Sequence, residues 1–506
     1  MRLSRRAFLR TSLLAGAATL VPARLARWIA TDAQAAPLDS LLTQAARGPV
    51  GRAHGYGPLQ PDPAGLLDLP AGFHYRVLSG GVLETDRERE GRYASKLTNG
   101  DPTPPQHDGM AAFAGPSGIT ILVRNHESNV WDRPMVDPAR VRAYDALGTG
   151  GTTTIWVDRH LRVTKSFASL SGTLRNCGGG PTPWGSWLSA EEGVYLPGPL
   201  DPSNSDLTPT VEQRHGYIYE VDSRATGLVD PRPLKAMGRF RHEAVAVDPR
   251  TGHAYLTEDR EDGLFYRFRS SVVTRGRKSP TRLGVGDYAK GGTLEALRII
   301  GQPQAITANR GEKPTFLLGK SYRVDWVPIA DPDPDCDTER DPSDPEPDPQ
   351  KRRMRTAAAS TRAQGFAAGA ARFQKSEGIT FHHGIVYWSA SDAGPNRGGQ
   401  VWRLDPARGV LSLLVEPNDK SRLDMPDNLC VGMNGDVLAC EDGSGDNFLV
   451  GITPSGMLYP VARNAHLLKR ELAGCCFSSD GHTLFFNLQQ PGITFAVRGP
   501  WDRRRA

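Results

Sequence analysis

Cys177 precedes three glycines in "NCGGGPTPWGSWLSAEE" (176–192), and the same stretch closes on two adjacent carboxylates, Glu191 and Glu192. A cysteine so placed can pack, form a disulfide, attack an electrophile or hold a metal ion. The glycine run is flexible and would let exposed backbone approach an ion. No partner cysteine or base is evident nearby, which leaves packing or metal ligation as the stronger readings. Further acids stand at the edges of apolar runs: Glu127, Glu243, Glu258, Glu377, Asp427 and Glu441. One strand-end acid ordinarily faces water or an arginine. So many in one chain point elsewhere, because buried carboxylates repel one another unless cations neutralise them. Carboxylate and amide oxygens suit hard cations such as calcium. A thiolate among them adds affinity for a softer or redox-active metal such as iron. His126 and His242, each ahead of a glutamate, read as hydrogen-bonding structural histidines. Cys430, Cys440, Cys475 and Cys476 lie inside apolar runs and read as small buried side chains.

These acids recur because the elements carrying them recur. "GMAAFAGPSGITILVRNHES" (109–128), "EAVAVDPRTGHAYLTEDRE" (243–261), "EGITFHHGIVYWSASDAG" (377–394), "DNLCVGMNGDVLACEDG" (427–443) and "GCCFSSDGHTLFFNLQQPG" (474–492) share one pattern. Each is an alternating apolar strand, a tight turn and a second apolar strand. Four of the five finish in Asn125/Glu127, Glu258/Asp259, Asp392 or Glu441/Asp442. Repeated hairpins predict an all-β chain folded as a β-propeller, with irregular insertions between blades. Equivalent strand ends would then converge on the central channel. One segment, at about 328–366, belongs to no blade. Its proline-laden "ADPDPDCDTERDPSDPEPDPQ" predicts a disordered acidic insertion.

The chain ends bound the setting. Residues 1–35 carry "SRRAFLR", a modest apolar run and "AQA", the layout of a twin-arginine signal peptide. They hold six arginines and one aspartate, so without them the formal net charge of +5 falls to zero. A neutral mature chain, 36–506, gives no footing for nucleic-acid binding. It also contains no apolar stretch long enough to span a bilayer. The expected protein is a monomer, exported folded by the twin-arginine machinery to the periplasm or beyond, with a small-molecule partner. G-x-S-x-G, H-E-x-x-H and Walker signatures are absent.

"HDGM" (107–110), "VRNHES" (123–128), the Cys177 stretch, "RFRHEAVAVDP" (239–249), "TEDRED" (257–262), "MPDNL" (425–429) and "ELAGCCFSSDGHTLFFNLQQPG" (471–492) together resemble the PhoX family of secreted alkaline phosphatases. The resemblance spans nearly the whole mature chain. It implies a six-bladed propeller that hydrolyses phosphate monoesters with ferric iron, calcium and a bridging oxide. It further implies that a metal-bound oxide or hydroxide attacks phosphorus. Carried over, Cys177 resembles the iron thiolate ligand. Glu127, Glu191, Glu192, Glu243, Glu377 and Asp427 resemble carboxylate ligands, with Asn125 and Asn428 as oxygen donors. Arg124, Arg260 and Lys375 stand as candidates for gripping phosphate. Two other readings use the same residues. One is a calcium-dependent lactonase or phosphotriesterase-like propeller, the other a non-catalytic calcium-binding module.

Overall fold

The structure is a computed structural model describing residues 55–81, 93–137, 142–199, 210–272, 283–311, 313–334 and 360–502. The predicted signal peptide lies outside these residues, as does 335–359 of the acidic insertion. The insertion's described ends are ordered, contrary to expectation. Tyr217 donates to Asp333 at 2.8 Å, and Arg239 to the Pro334 carbonyl at 2.7 Å. Residues Thr361–Ala367 form a short α-helix, because Ser360 caps its first turn by accepting from the Ala363 amide.

The rest is all-β and propeller-like. Six strands, here β1 (His107–Ala114), β2 (Asn176–Pro181), β3 (His242–Val247), β4 (Ser376–His382), β5 (Pro426–Val431) and β6 (Leu472–Phe477), each begin an antiparallel meander. Each packs against the next, and β6 packs against β1, so the six close a ring. The hydrogen-bonded sheets themselves are unequal. Strand Ser321–Pro328 pairs with both Gly292–Ile299 and Val410–Val415, joining the β3 and β4 meanders into nine strands. Among the described residues the β2 meander has three strands. The β6 meander is completed from the other end of the chain, where His74–Gly80 pairs with Ile493–Arg498.

Alternation in the strands buries one face of each sheet against its neighbours. Between the β3 and β4 meanders, Phe265 stacks on Trp388 with ring centroids 4.2 Å apart. Such a pair contributes about 0.5–1.5 kcal/mol beyond its buried area.

The six inner strands approach more closely than ordinary side chains allow, and this explains the glycine run after Cys177. A Cβ on Gly178 would lie 2.3 Å from the Glu243 carbonyl oxygen, and one on Gly180 1.7 Å from that of Val245. The glycines admit the neighbouring strand. Gly180→Ala is expected to destabilise the fold by about 1–3 kcal/mol through forced backbone displacement. Urea unfolding measures it, and an unchanged midpoint would mean that β2 and β3 separate freely.

Candidate metal centre

All six inner strands break register at the same place. Pairing slips between His107 and Met110, Asn176 and Gly179, His242 and Val245, Ser376 and Ile379, Pro426 and Leu429, and Ala473 and Cys476. A bulge of this kind re-aims a side chain that the pleat would otherwise direct into a sheet face. At the first five bulges the residue after the last regular pair is Asp108, Cys177, Glu243, Glu377 or Asp427. At the sixth it is Gly474, which has no side chain.

Their donor atoms meet. Asp108, Glu127 and Cys177 offer ligand atoms within 4.8 Å of one another; so do Cys177, Glu192 and Glu243, and Glu243, Glu377 and Asp427. Cys177 and Glu243 each belong to two of the three groups, and the Cys177 thiol donates to Glu243 Oε1 at 3.2 Å.

A second tier surrounds the first. The residue following the second strand of each meander is Glu127, Glu192, Asp259, Ser391, Asp442 or Gln489, and all six line one cavity of about 400 Å³. Eight carboxyl groups line this cavity against three cations, Arg175, Arg241 and Lys375. Each cation stands two residues before a bulge residue, in "RNC", "RHE" and "KSE". Arg175 bridges Glu127 and Glu192 at 2.6 Å each. Arg241 pairs with Glu192 and lies 3.6 Å from Asp259, while Lys375 lies 3.3 Å from Asp259 and 3.6 Å from Glu377.

Three cations do not neutralise this many acids. Burial, then the charges of Glu377 and Asp427, pushes Glu243 well above the usual carboxyl range. Asp427 is raised by burial and by Glu377 and Asp108, and Glu377 by burial and Asp259. Asp108 rises to about 6, chiefly through burial. Burial and the surrounding carboxylates likewise push the Cys177 thiol up. Glu192 goes the other way: burial would raise it, but Arg241 and Arg175 hold it below the usual range. Glu243 Oε2 is buried with no hydrogen-bond partner, a cost that protein interiors rarely tolerate. An orphaned carboxylate oxygen among crowded acids and a thiol is a donor set that fits bound cations.

Of the residues expected from sequence, Glu127, Cys177, Glu192, Glu243, Glu377 and Asp427 come together here. Others do not. Glu191 ends its strand facing away from Glu192, as strand alternation requires. Its oxygens accept from the Leu174, Gly216 and Tyr217 amides and from His215. Glu258 and Glu441 occupy the equivalent place and likewise take backbone amides, those of Leu264 and of Asp424 and Phe448. Each acidic pair thus divides its work: the first member ties a loop and the second enters the cavity.

Asn125 does not reach the centre as a ligand, because both ends of its amide are taken. Its Nδ2 donates to the Cys177 carbonyl, and its Oδ1 accepts from Trp187 and Ser189. Asn428 Nδ2 donates to Asp427, and its Oδ1 accepts from the Gly474 amide. Arg124 is fully buried among Ser79, His107, Thr153 and Thr494, far from any role in gripping substrate. Arg260 is absent from the cavity lining, where Lys375 is present. His126 and His242 make hydrogen bonds to the Pro105 and Gly238 carbonyls, as structural histidines do. Sequence reasoning missed Asp108, Glu471, Arg175 and Arg241, and it named Asp259 and Asp442 only as members of strand-end acid clusters. A signal for the arginines was present, in the basic residue two before Cys177, Glu243 and Glu377.

Among curated proteins none matches this chain. A structure of Pseudomonas fluorescens PhoX in complex with vanadate, a transition-state analogue, is similar over 88% of this chain and 98% of its own, at 18% identity and TM-score 0.60. That likeness concerns the fold. A gluconolactonase from Xanthomonas campestris, XC5397, covers as much at 12% identity, but its TM-score of 0.36 is too low to bear on function. The model of the family described as alkaline phosphatase PhoX matches residues 54–164 and 158–492. With that coverage, the chain belongs to the PhoX alkaline phosphatases, a metal-dependent family of phosphoric monoester hydrolases.

Proposed function

We propose that the cavity hydrolyses small phosphate monoesters around a mixed iron and calcium centre held by Asp108, Glu127, Cys177, Glu192, Glu243, Glu377 and Asp427. The observation that carries this reading is the crowding of buried carboxylates and one thiol at five equivalent bulges. Bound there, the ions would supply positive charge for phosphoryl oxygens and acidity for a water nucleophile.

The chain's own residues account for recognition. Among the described residues the cavity lining contains no aliphatic or aromatic side chain. Nothing there grips an apolar leaving group, so selection falls on the phosphoryl group. Arg175 and Arg241 present forks of donors suited to its oxygens, and Lys375 adds a point charge. In the resting cavity these cations lean on Glu127, Glu192 and Asp259, which keeps them oriented until substrate arrives.

The closed ring of β1–β6 supports a six-bladed reading of the propeller. Residues 1–35 support export by the twin-arginine route to the periplasm, and the mature chain is proposed to act as a monomer.

Elemental analysis and a p-nitrophenyl phosphate assay test the function together. Native protein should carry iron and calcium and release phosphate. Chelation should abolish turnover and lower the melting temperature, since each ion present at about 100 times its dissociation constant contributes about 2.7 kcal/mol. Active protein free of metal would sink the proposal.

A further inference from the structure

At a bulge two residues of one strand face one of its neighbour, so carbonyls there leave the regular ladder while remaining buried. Four of the bulges have those carbonyls met by a side chain from the preceding meander. Asn125 Nδ2 donates to the Cys177 carbonyl at 2.8 Å and to that of Gly178 at 2.5 Å. Thr257 Oγ1 donates to the Glu377 carbonyl at 2.6 Å, Ser389 Oγ to that of Asp427 at 2.8 Å, and Asn487 Nδ2 to that of Asp108 at 2.6 Å. Apart from that of Gly178, each carbonyl belongs to a residue whose side chain is a proposed metal ligand.

The four donors occupy one structural position. Each is the penultimate residue of its meander's second strand, in Thr120–His126, Ala254–Glu258, Ile385–Ala390 and Thr483–Leu488. All four are fully buried. Three are themselves held: Asn125 Oδ1 accepts from Trp187 at 2.8 Å, Thr257 Oγ1 from the Ala244 amide at 2.9 Å, and Asn487 Oδ1 from Thr494 at 2.6 Å. A donor fixed at both ends transmits the position of one meander to the ligand of the next.

We propose that Asn125, Thr257, Ser389 and Asn487 are positioning residues for the metal centre, an inference that rests on the centre proposed above. They set where the Cys177, Glu377, Asp427 and Asp108 side chains stand, and they touch neither ion nor substrate. Supporting groups of this kind alter metal affinity or activity by about 10–100-fold when removed.

Ser389→Ala and Thr257→Val remove one hydroxyl each at nearly constant volume, and Thr257→Ser keeps the hydroxyl. The rate of metal loss to excess EDTA is followed by elemental analysis, with kcat, KM and the melting temperature of the metal-free protein. The expected result is that Ser389→Ala and Thr257→Val lose metal about 10–100 times faster than wild type and fall in kcat with KM unchanged. Thr257→Ser should behave as wild type. Variants that melt lower when metal-free yet release metal at the wild-type rate would overturn the proposal, because the hydroxyls would then serve the fold alone. A wild-type chain that retains no metal would instead remove the centre itself, and the positioning role with it.

Discussion

Stripped of metal, Glu243→Gln should unfold at higher denaturant than wild type; supplied with metal, it should retain little and turn over no measurable phosphate ester. Both effects come from one oxygen. Glu243 is fully buried, its Oε2 has no hydrogen-bond partner, and Glu377, Asp427 and Glu192 press on it electrostatically. Ionised and without a cation, it costs the fold stability. Glutamine removes the charge at constant shape, for a gain of about 1–3 kcal/mol in the metal-free protein. The same change takes a ligand from two of the three donor groups. A metal-free variant no more stable than wild type would mean that Glu243 is not strained by its neighbours.

The strain has a pH signature. Asp108 is raised from 3.8 to about 6, and Glu243, Glu377 and Asp427 are raised in the same direction. A carboxyl raised in the folded state favours folding while protonated, below its unfolded value. That contribution is lost as pH rises through the folded value. Metal-free protein should therefore lose stability from about pH 4 upward, and the part due to Asp108 is lost between about pH 4 and about pH 6. Metal-loaded protein should show the opposite slope, because the ligands bind cations only when deprotonated. Parallel slopes in the two forms would contradict the assignment.

The second large effect is expected at Cys177. Burial and the charges of Asp108 and Glu243 hold its thiol protonated in the absence of a cation, so a thiolate there depends on a bound metal. Cys177→Ser should lose iron, keep calcium and fall in activity by at least about 100-fold, beyond the effect usual for supporting residues. The visible absorption of a thiolate–iron pair should vanish with it. Retention of that band in the serine variant would refute the ligand role. Among the described residues no disulfide competes for this sulfur: Cys177, Cys430, Cys440, Cys475 and Cys476 are all free.

The sequence made the hairpins and most of the acids legible because period-two alternation and turn residues are local signals. What escaped it depends on direction. Glu191 and Glu192 are indistinguishable in a string, and only the strand's end at Glu191 separates a loop tie from a cavity acid. Arg124, beside the Asn125–Glu127 cluster, looked like a phosphate grip, whereas its strand turns it into the core between Ser79 and Thr494. Arg175, two residues before Cys177, is the one that faces the acids. Asp108 was hidden because a regular strand would bury it in a sheet face, and bulges leave little trace in composition. Five of the six inner strands were visible as repeats, β2 being the exception, and the bridging role of Ser321–Pro328 is a long-range pairing with no local mark.

The pairing of Ile493–Arg498 with His74–Gly80 has a consequence for how the protein comes into being. The ring of inner strands opens at His107 and closes only at Phe477, and the last meander borrows its outer strand from near the start. Closing so long a loop is entropically costly and slow, and no early fragment is rewarded for it. A chain truncated anywhere before its final strands would lack Asn487, leave the Asp108 carbonyl unmet and keep its acids apart. Capture of metal would therefore report that synthesis is complete, and a polypeptide interrupted midway would leave the ribosome without a metal centre.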